Sequence, residues 1–357
     1  MAALAALGVF SAFWLRQWQK QQKQQKQQQK QQLQEEDKEQ QQKQGKSCGL
    51  LARDFVATEG IAGQSPQIRV LQFNVLAKHL SSAPEFGGFT KSPRGALDYH
   101  GFRRARVLEE MTRFEPDIVT AQEVDNDEYE GYFCHEMAKR GYSSIHKPKA
   151  KGGRDGLAVF WKEDKVRFVS KRAVRYSTGS QVALICRFQL KNAPSFLVAT
   201  THLKAKPPNE SVRVVQMQDL LAAINSERKS ASEGVLLMGD FNSNPSGSVY
   251  SMVEASDLGL GNAYGPQQPS YTTWKWRSSG ESKHTIDYIW HTPSILRLCS
   301  LLSVPTESAI PACRLPCWEY PSDHFAIGAS FSFASSSPSP SSPSSPSSSS
   351  SSSSCLV

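Results

Sequence analysis

Asn74, Glu123, His202 and Asp240 each stand at the carboxyl end of an otherwise apolar run, in "IRVLQFN", "DIVTAQE", "FLVATTH" and "GVLLMGD". Such residues are costly beside a dry strand unless they are paired or bind a cation. Asp287, inside "IDYIW", and Asp323-His324, at the mouth of "FAIGASFSF", extend the set. The side chains of Asn74, Glu123, Asp240 and Asn242 are hard oxygen donors of the type that suits Mg²⁺. His202 and His324 are poor ligands for that ion but good partners for phosphoryl oxygens, and an acid beside a histidine fixes its tautomer and supports its cation. A Lewis-acid site, a water-orienting carboxylate and a cationic clamp are together the parts of metal-assisted phosphoester hydrolysis. Each residue alone also has a structural reading, because Asn, Asp and Ser shape turns and caps, and Asp323 could serve only its turn. The recurrence of such residues at strand ends argues for one cleft at one rim of a sheet.

The elements that must position them are legible as apolar, β-branched runs. Strands are expected over 68–74, 117–123, 157–161, 182–190, 196–202, 234–240, 286–290 and 325–333. Helices are expected in "HGFRRARVLEEMTRF", where Phe102, Ala105, Leu108 and Met111 recur at a spacing of three, and in "NDEYEGYFCHEMAKRG", closing on Gly141. A third is expected in "SVRVVQMQDLLAAINSER", with Ser211 as its cap. Strands alternating with helices over one long span predict an α/β sandwich.

The ends of the chain are not core material. Residues 1–16 are apolar up to Arg16, residues 17–64 open with a Gln/Lys tract, and residues 335–357 are Ser and Pro with "SSSSCLV" at the end. The polar tracts are expected to stay disordered, or in the Gln/Lys case to form a weak solvated helix. The apolar start spans only ~21 Å as a helix, short of a bilayer core. It reads as a short anchor giving weak membrane association, an atypical mitochondrial presequence or an imprecise start, which puts the protein in the cytoplasm or the mitochondrion. The folded region is expected at 65–334, as a monomer. Half of the net charge of +8 lies in the first 47 residues, so the remainder suits a phosphate-bearing substrate and carries no stripe for duplex DNA. Seven scattered cysteines form no zinc set, and Cys313 and Cys317 read as inert thiols.

"QFNVLA", "AQEVD", "DGLAVF", "THLKA", "GDFNSNP", "HTIDYIW" and "YPSDHFAI" follow one another in an order that resembles the endonuclease/exonuclease/phosphatase superfamily. Within it the chain is similar to the carbon catabolite repressor-type deadenylase branch, over residues 68–333. The resemblance implies a four-layer α/β/β/α sandwich of the DNase I-like kind. It also implies roles: Glu123 as the principal Mg²⁺ ligand with Asn74 beside it, and Asp240 as the residue that orients or deprotonates the attacking water. Asn242 is implied as a neighbour of the substrate or of a second metal. His324 is implied to contact the scissile phosphate, held by Asp287, with His202 as a further phosphate-facing histidine.

Two substrates occur in that branch, the 2′-phosphate of NADP(H) and poly(A) RNA, and the chemistry is common to both. Lys147, Lys204 and Lys206 suit a small polyanion, and the resemblance implies that Ser180 stands at a position of the substrate pocket. Members of the NADP(H) group usually carry Arg where Lys206 stands and Asn where Ser180 stands, so phosphate would be held here by a point charge rather than a fork. No leucine-rich repeats precede the core, which favours the NADP(H) reading over the poly(A) exoribonuclease. A catalytically silent RNA-binding adaptor is disfavoured by the intact Glu123, Asp240 and His324.

Overall fold

The computed structural model describes residues 17, 20–25, 27–28, 49–58, 67–82, 88–191, 193–265 and 269–334. Two mixed sheets form its centre. The first orders its seven strands β1 (Phe55–Ala57), β14 (Leu296–Leu302), β15 (Ile327–Phe333), β2 (Gln67–Asn74), β3 (Ile118–Asp125), β5 (Asp155–Lys162) and β4 (Tyr142–Pro148). The second runs β10 (Gly261–Asn262), β13 (Asp287–His291), β9 (Gly234–Asp240), β8 (Ser195–His202), β7 (Val182–Leu190) and β6 (Val166–Arg175). A separate hairpin joins β11 (Thr273–Arg277) to β12 (Gly280–His284).

Period-two alternation explains the layering. Ile68 and Val70 of β2 meet Leu236 and Met238 of β9 in the core between the sheets, whereas Leu71 and Phe73 face helix α1 (Arg104–Thr112) through Val107, Leu108 and Met111. On the far side, Val235 and Leu237 pack on helix α2 (Glu210–Glu227) through Met217, Leu220 and Ile224, with helix α3 (Ser248–Glu254) alongside. The result is helix, sheet, sheet, helix: the expected α/β/β/α sandwich. All eight expected strands form.

Four local expectations are corrected. Helix α1 is entered through a wide turn at Tyr99–Arg103, which shifts its phase, so Ala105 is exposed and Val107 and Glu110 are buried instead. Helix α2 starts one residue before Ser211, after a tight turn at Pro207–Asn209, so Ser211 is not its cap. The second expected helix is broken by a wide turn at Tyr129–Phe133. The folded region also starts before Ser65. Strand β1 pairs with β14, and Arg53 is buried with its guanidinium on Glu110, Tyr320 and the carbonyls of Ser303 and Ala326.

Of the terminal segments, residues 1–16 and 335–357 lie outside the described residues, as does most of the Gln/Lys tract, whose described residues are helical and exposed. Among the described residues no helix is long and apolar enough to cross a membrane. Cys313 and Cys317 are free thiols, both pushed up by burial, as suits inert positions.

Candidate active site

The functional residues meet because the two sheets present matching rims. On the parallel pair β8 and β9, His202 stands directly across from Asp240, and on the antiparallel pair β9 and β13, Asp240 stands across from Asp287. Parallel strands contribute their carboxyl ends (Asn74, His202, Asp240), while antiparallel neighbours contribute their amino ends, Asp287 and the approach to β15 at His324. Glu123 is a different case. Strand β3 continues past it to Asp125, and the ladder with β5 slips between Gln122 and Val124, leaving Glu123 with φ +58°. The residue therefore sits in a bulge, which turns its side chain to the rim at the cost of a left-handed backbone.

Asn74, fully buried, holds the two acids together. Its Nδ2 donates to Glu123 Oε1 at 3.1 Å and to Asp240 Oδ2 at 3.0 Å. Its Oδ1 accepts from the Leu76 backbone, and Glu123 Oε2 accepts from the Ala77 backbone. Asn242, at φ +50°, donates its backbone N–H to Asp240 Oδ1 and its amide to the Leu203 carbonyl. His202 Nε2 lies 3.5 Å from Asp240 and 4.0 Å from Glu123, so the ring faces the carboxylate pair, and its buried Nδ1 has no hydrogen-bond partner among the described residues. Burial pushes His202 down to about 4, helped by Lys149, so the ring is neutral near pH 7.

His324 is its electrostatic opposite. Its Nδ1 donates to Asp287 Oδ2 at 2.9 Å, while its Nε2 points at Asp240 from 3.9 Å. Burial opposes its charge, but the carboxylates of Asp287, Asp323 and Asp240 outweigh it and hold the imidazolium up to about 9. Asp287 is fixed by Gln72 Nε2 at 2.9 Å and Thr272 Oγ1 at 2.6 Å. Among the described residues the Asp323 carboxylate makes no hydrogen bond to the His324 ring and acts on it through charge alone. It lies under Lys275 and Arg277, which with His324 overcome burial and hold it well below the usual carboxylate range.

The donor set fits a hard divalent cation. Glu123 and Asp240 are two buried carboxylates joined through one amide, with no lysine or arginine within ion-pair distance of either among the described residues. Asp240, Asp287 and His324 can also bring ligand atoms within 4.8 Å of one another. Asp287 accepts three hydrogen bonds, from Gln72, Thr272 and His324, and serves as the holder of the histidine, whereas each oxygen of Glu123 and Asp240 accepts one and keeps a lone pair for a cation.

Sequence reasoning placed Asn74, Glu123, His202, Asp240, Asp287 and His324 together, and they are together. Lys147, Ser180, Lys204 and Lys206 belong to strands and turns around this rim, but no hydrogen bond or ion pair joins their side chains to the centre among the described residues. Several positioning groups were missed. Gln72 and Thr272 seat Asp287. Fully buried Arg103 donates to the carbonyls of Val75, Leu76 and Pro321, tying the Asn74 turn to the His324 turn, and Ser322 Oγ seals that junction on the Asn74 carbonyl. Only Gln72 carried a visible signal, as a polar residue inside an apolar strand.

Comparison with known proteins agrees with this geometry. The Endonuclease/Exonuclease/phosphatase family description matches residues 71–324. Nocturnin of Xenopus laevis is 36% identical over 79% of this chain and 77% of its own length. The exoribonuclease subunit Ccr4 of Aspergillus oryzae is 25% identical over 78% of this chain and 49% of its own length. The solved human nocturnin catalytic domain, with a bound sulfate anion, superimposes with a TM-score of 0.63 at 30% identity, covering 79% of this chain and 98% of that one. Enzymes of this family are metal-dependent hydrolases of phosphoester bonds. The chain belongs to the endonuclease/exonuclease/phosphatase family, in the group that contains the nocturnins.

Proposed function

We propose that this phosphoester hydrolase removes the 2′-phosphate of NADP(H), giving NAD(H) and inorganic phosphate, with Mg²⁺ as its metal. The observation that carries the reading is the meeting of an imidazolium, His324 on Asp287, with the Glu123–Asp240 carboxylate pair. That arrangement receives one phosphate dianion between a proton-bearing cation and a metal-binding pair. The choice of NADP(H) over RNA is supported by the extent of likeness to nocturnin, which spans 77% of that protein against 49% for the Ccr4 subunit.

Glu123 and Asp240 would hold the ion, with the amides of Asn74 and Asn242 at their side. Once bound, a divalent ion supplies Lewis-acid polarisation of a phosphoryl oxygen. Asp240, whose carboxyl burial pushes up, orients the attacking water and takes its proton. His324 donates from Nε2 to a phosphoryl oxygen and so stabilises the charge that develops there, while Asp287 retains the proton on Nδ1. Neutral His202 supports the carboxylate pair from the side. The water oxygen bonds to phosphorus, the bond from phosphorus to the ribose 2′-oxygen breaks, and the 2′-oxygen leaves as the hydroxyl with a proton from solvent, which balances the one that Asp240 takes and later releases. Lys147, Ser180, Lys204 and Lys206 receive the dinucleotide around the rim.

The test compares phosphate release from NADP(H) with shortening of an oligo(A) RNA, both with Mg²⁺, for the unmodified chain and Glu123→Ala. Release from NADP(H) that disappears in the variant supports the reading. RNA shortening without NADP(H) hydrolysis replaces it with the exoribonuclease function.

A further inference from the structure

The turn between β8 and α2 carries Lys204 and Lys206, and its backbone is held in a way that ordinary turns are not. Lys206 has φ +78° and ψ +139°, a conformation suited to glycine and strained for a lysine. The strain persists because side chains from two directions grip the turn. From below, Asn242 Nδ2 donates to the Leu203 carbonyl at 3.0 Å. From the helix, Arg213 Nη1 donates to the carbonyls of both Lys204 and Lys206 at 2.8 Å, and its Nη2 reaches the Pro207 carbonyl at 3.4 Å. Gln216 Oε1 accepts from the Lys204 backbone N–H at 2.9 Å.

Neither gripping residue is a surface decoration. Arg213 is 3% exposed and Gln216 is fully buried. The other end of Arg213, Nε, donates to Glu210 at 2.8 Å, and Glu210 accepts from Ser243 Oγ at 3.1 Å, in the turn that follows Asp240 and Asn242. The other end of Gln216, Nε2, donates to the Thr178 carbonyl at 3.2 Å and to Gln181 at 3.0 Å, on either side of Ser180. The first turns of α2 thus tie three pieces of the rim into one frame: the turn with Ser180, the turn with both lysines, and the turn behind the catalytic acid. A guanidinium spanning three carbonyls is a task for a planar fork, which a lysine in its place cannot perform.

We propose that Arg213, with Gln216, is a positioning residue for the substrate phosphate: it holds Lys204 and Lys206 in the strained turn from which they meet the anion. This rests on the reading of NADP(H) as substrate and of these lysines as its phosphate contacts. It makes a distinct prediction, because a residue that acts through Lys206 should matter only while Lys206 is there.

The experiment is a double-mutant cycle on the full chain, Arg213→Met with Lys206→Ala, read as kcat and KM for phosphate release from NADPH. Each single variant is expected to lose at least about 10-fold in kcat/KM, mainly through KM, as for loss of one charge-assisted contact. The double variant is expected to fall no more than about 3-fold below the weaker single, the mark of coupled residues. Arg213→Lys, which keeps the charge and the Glu210 pair, serves if Arg213→Met does not fold. It is expected to lose activity through KM and to be coupled to Lys206 in the same way. Losses that multiply in the double variant, or a loss confined to kcat, overturn the proposal and leave Arg213 a structural residue. Failure of the underlying reading shows separately, as absence of NADPH hydrolysis by the unmodified chain.

Discussion

Removing residues 1–48 should be tolerated, whereas removing residues 1–64 should not, because the second cut takes away Arg53 and β1. Arg53 forms a fully buried ion pair with Glu110 at 2.9 Å and donates to the Ala326 carbonyl at 2.6 Å and the Ser303 carbonyl at 2.8 Å. Breaking one side of such a pair costs about 3–5 kcal/mol, since a buried charge is left behind. Glu110 keeps Arg113, 2.6 Å away, and the Tyr320 hydroxyl, so the lower end of that range applies. For a domain of this size about 3 kcal/mol corresponds to roughly 6–12 °C in melting midpoint. Ala326 is also held at its N–H by Tyr320, and it lies two residues beyond His324, so the cut loosens the turn that presents the histidine. Thermal melting of both truncations, beside Arg53→Met in the full chain, measures the effect. If the longer truncation melts within a degree or two of the shorter one and keeps full activity, the buried pair does not anchor the fold and the reasoning fails.

Three further outcomes follow from the site and its surroundings. His324 is held up to about 9 by Asp287 and its neighbours, so activity that uses the imidazolium should persist below that pH and fall above it. Asp287→Asn should move this alkaline limb of the kcat/KM profile to lower pH, and an unmoved limb would deny the pair its role. Buried His291, which donates from Nδ1 to the Leu296 carbonyl, is pushed down to about 4 by burial. Its folded state excludes a proton that the unfolded chain binds below about 6.5, so its contribution is complete above that pH and is lost as pH falls toward 4, amounting to roughly 3 kcal/mol. Urea midpoints of the wild type and His291→Phe between pH 7 and 4 should converge on acidification; parallel curves would refute the assignment. Lys206→Gly should melt higher than Lys206→Ala by the relief of about 1 kcal/mol of backbone strain while both lose NADPH turnover, and equal melting would mean the turn is unstrained.

What the sequence disclosed, and what it hid, divides along a physical line. Residues whose polarity contradicts an apolar run are conspicuous, and Asn74, His202, Asp240 and Asp287 were found that way because period-two patterning makes an intruder visible. Glu123 was found for a reason the structure revises. It looked like the end of a strand, but the strand runs on to Asp125 and the glutamate is turned outward by a bulge, which no local pattern announces. The edge strand β6 was missed because its exposed charges hide the pattern that marks buried strands. The wide turn before α1 was missed because a periodic reading assumes 3.6 residues per turn throughout, and it is this turn that ends on Arg103. Arg53, Arg103 and Arg213 escaped for one shared reason. An arginine in sequence is read as surface charge, and its burial becomes apparent only when distant carbonyls converge on it. In each case those carbonyls belong to a turn that carries or adjoins a functional residue: Ala326 beyond His324, Val75 and Leu76 beyond Asn74, and Lys204 to Pro207 at the rim. Turns at an active rim have few ladder bonds of their own, so their carbonyls need outside donors. A buried guanidinium supplies several from one rigid plane. The chemistry of this protein was therefore visible in its acids and histidines, while the stiffness that makes the chemistry usable lies in its arginines.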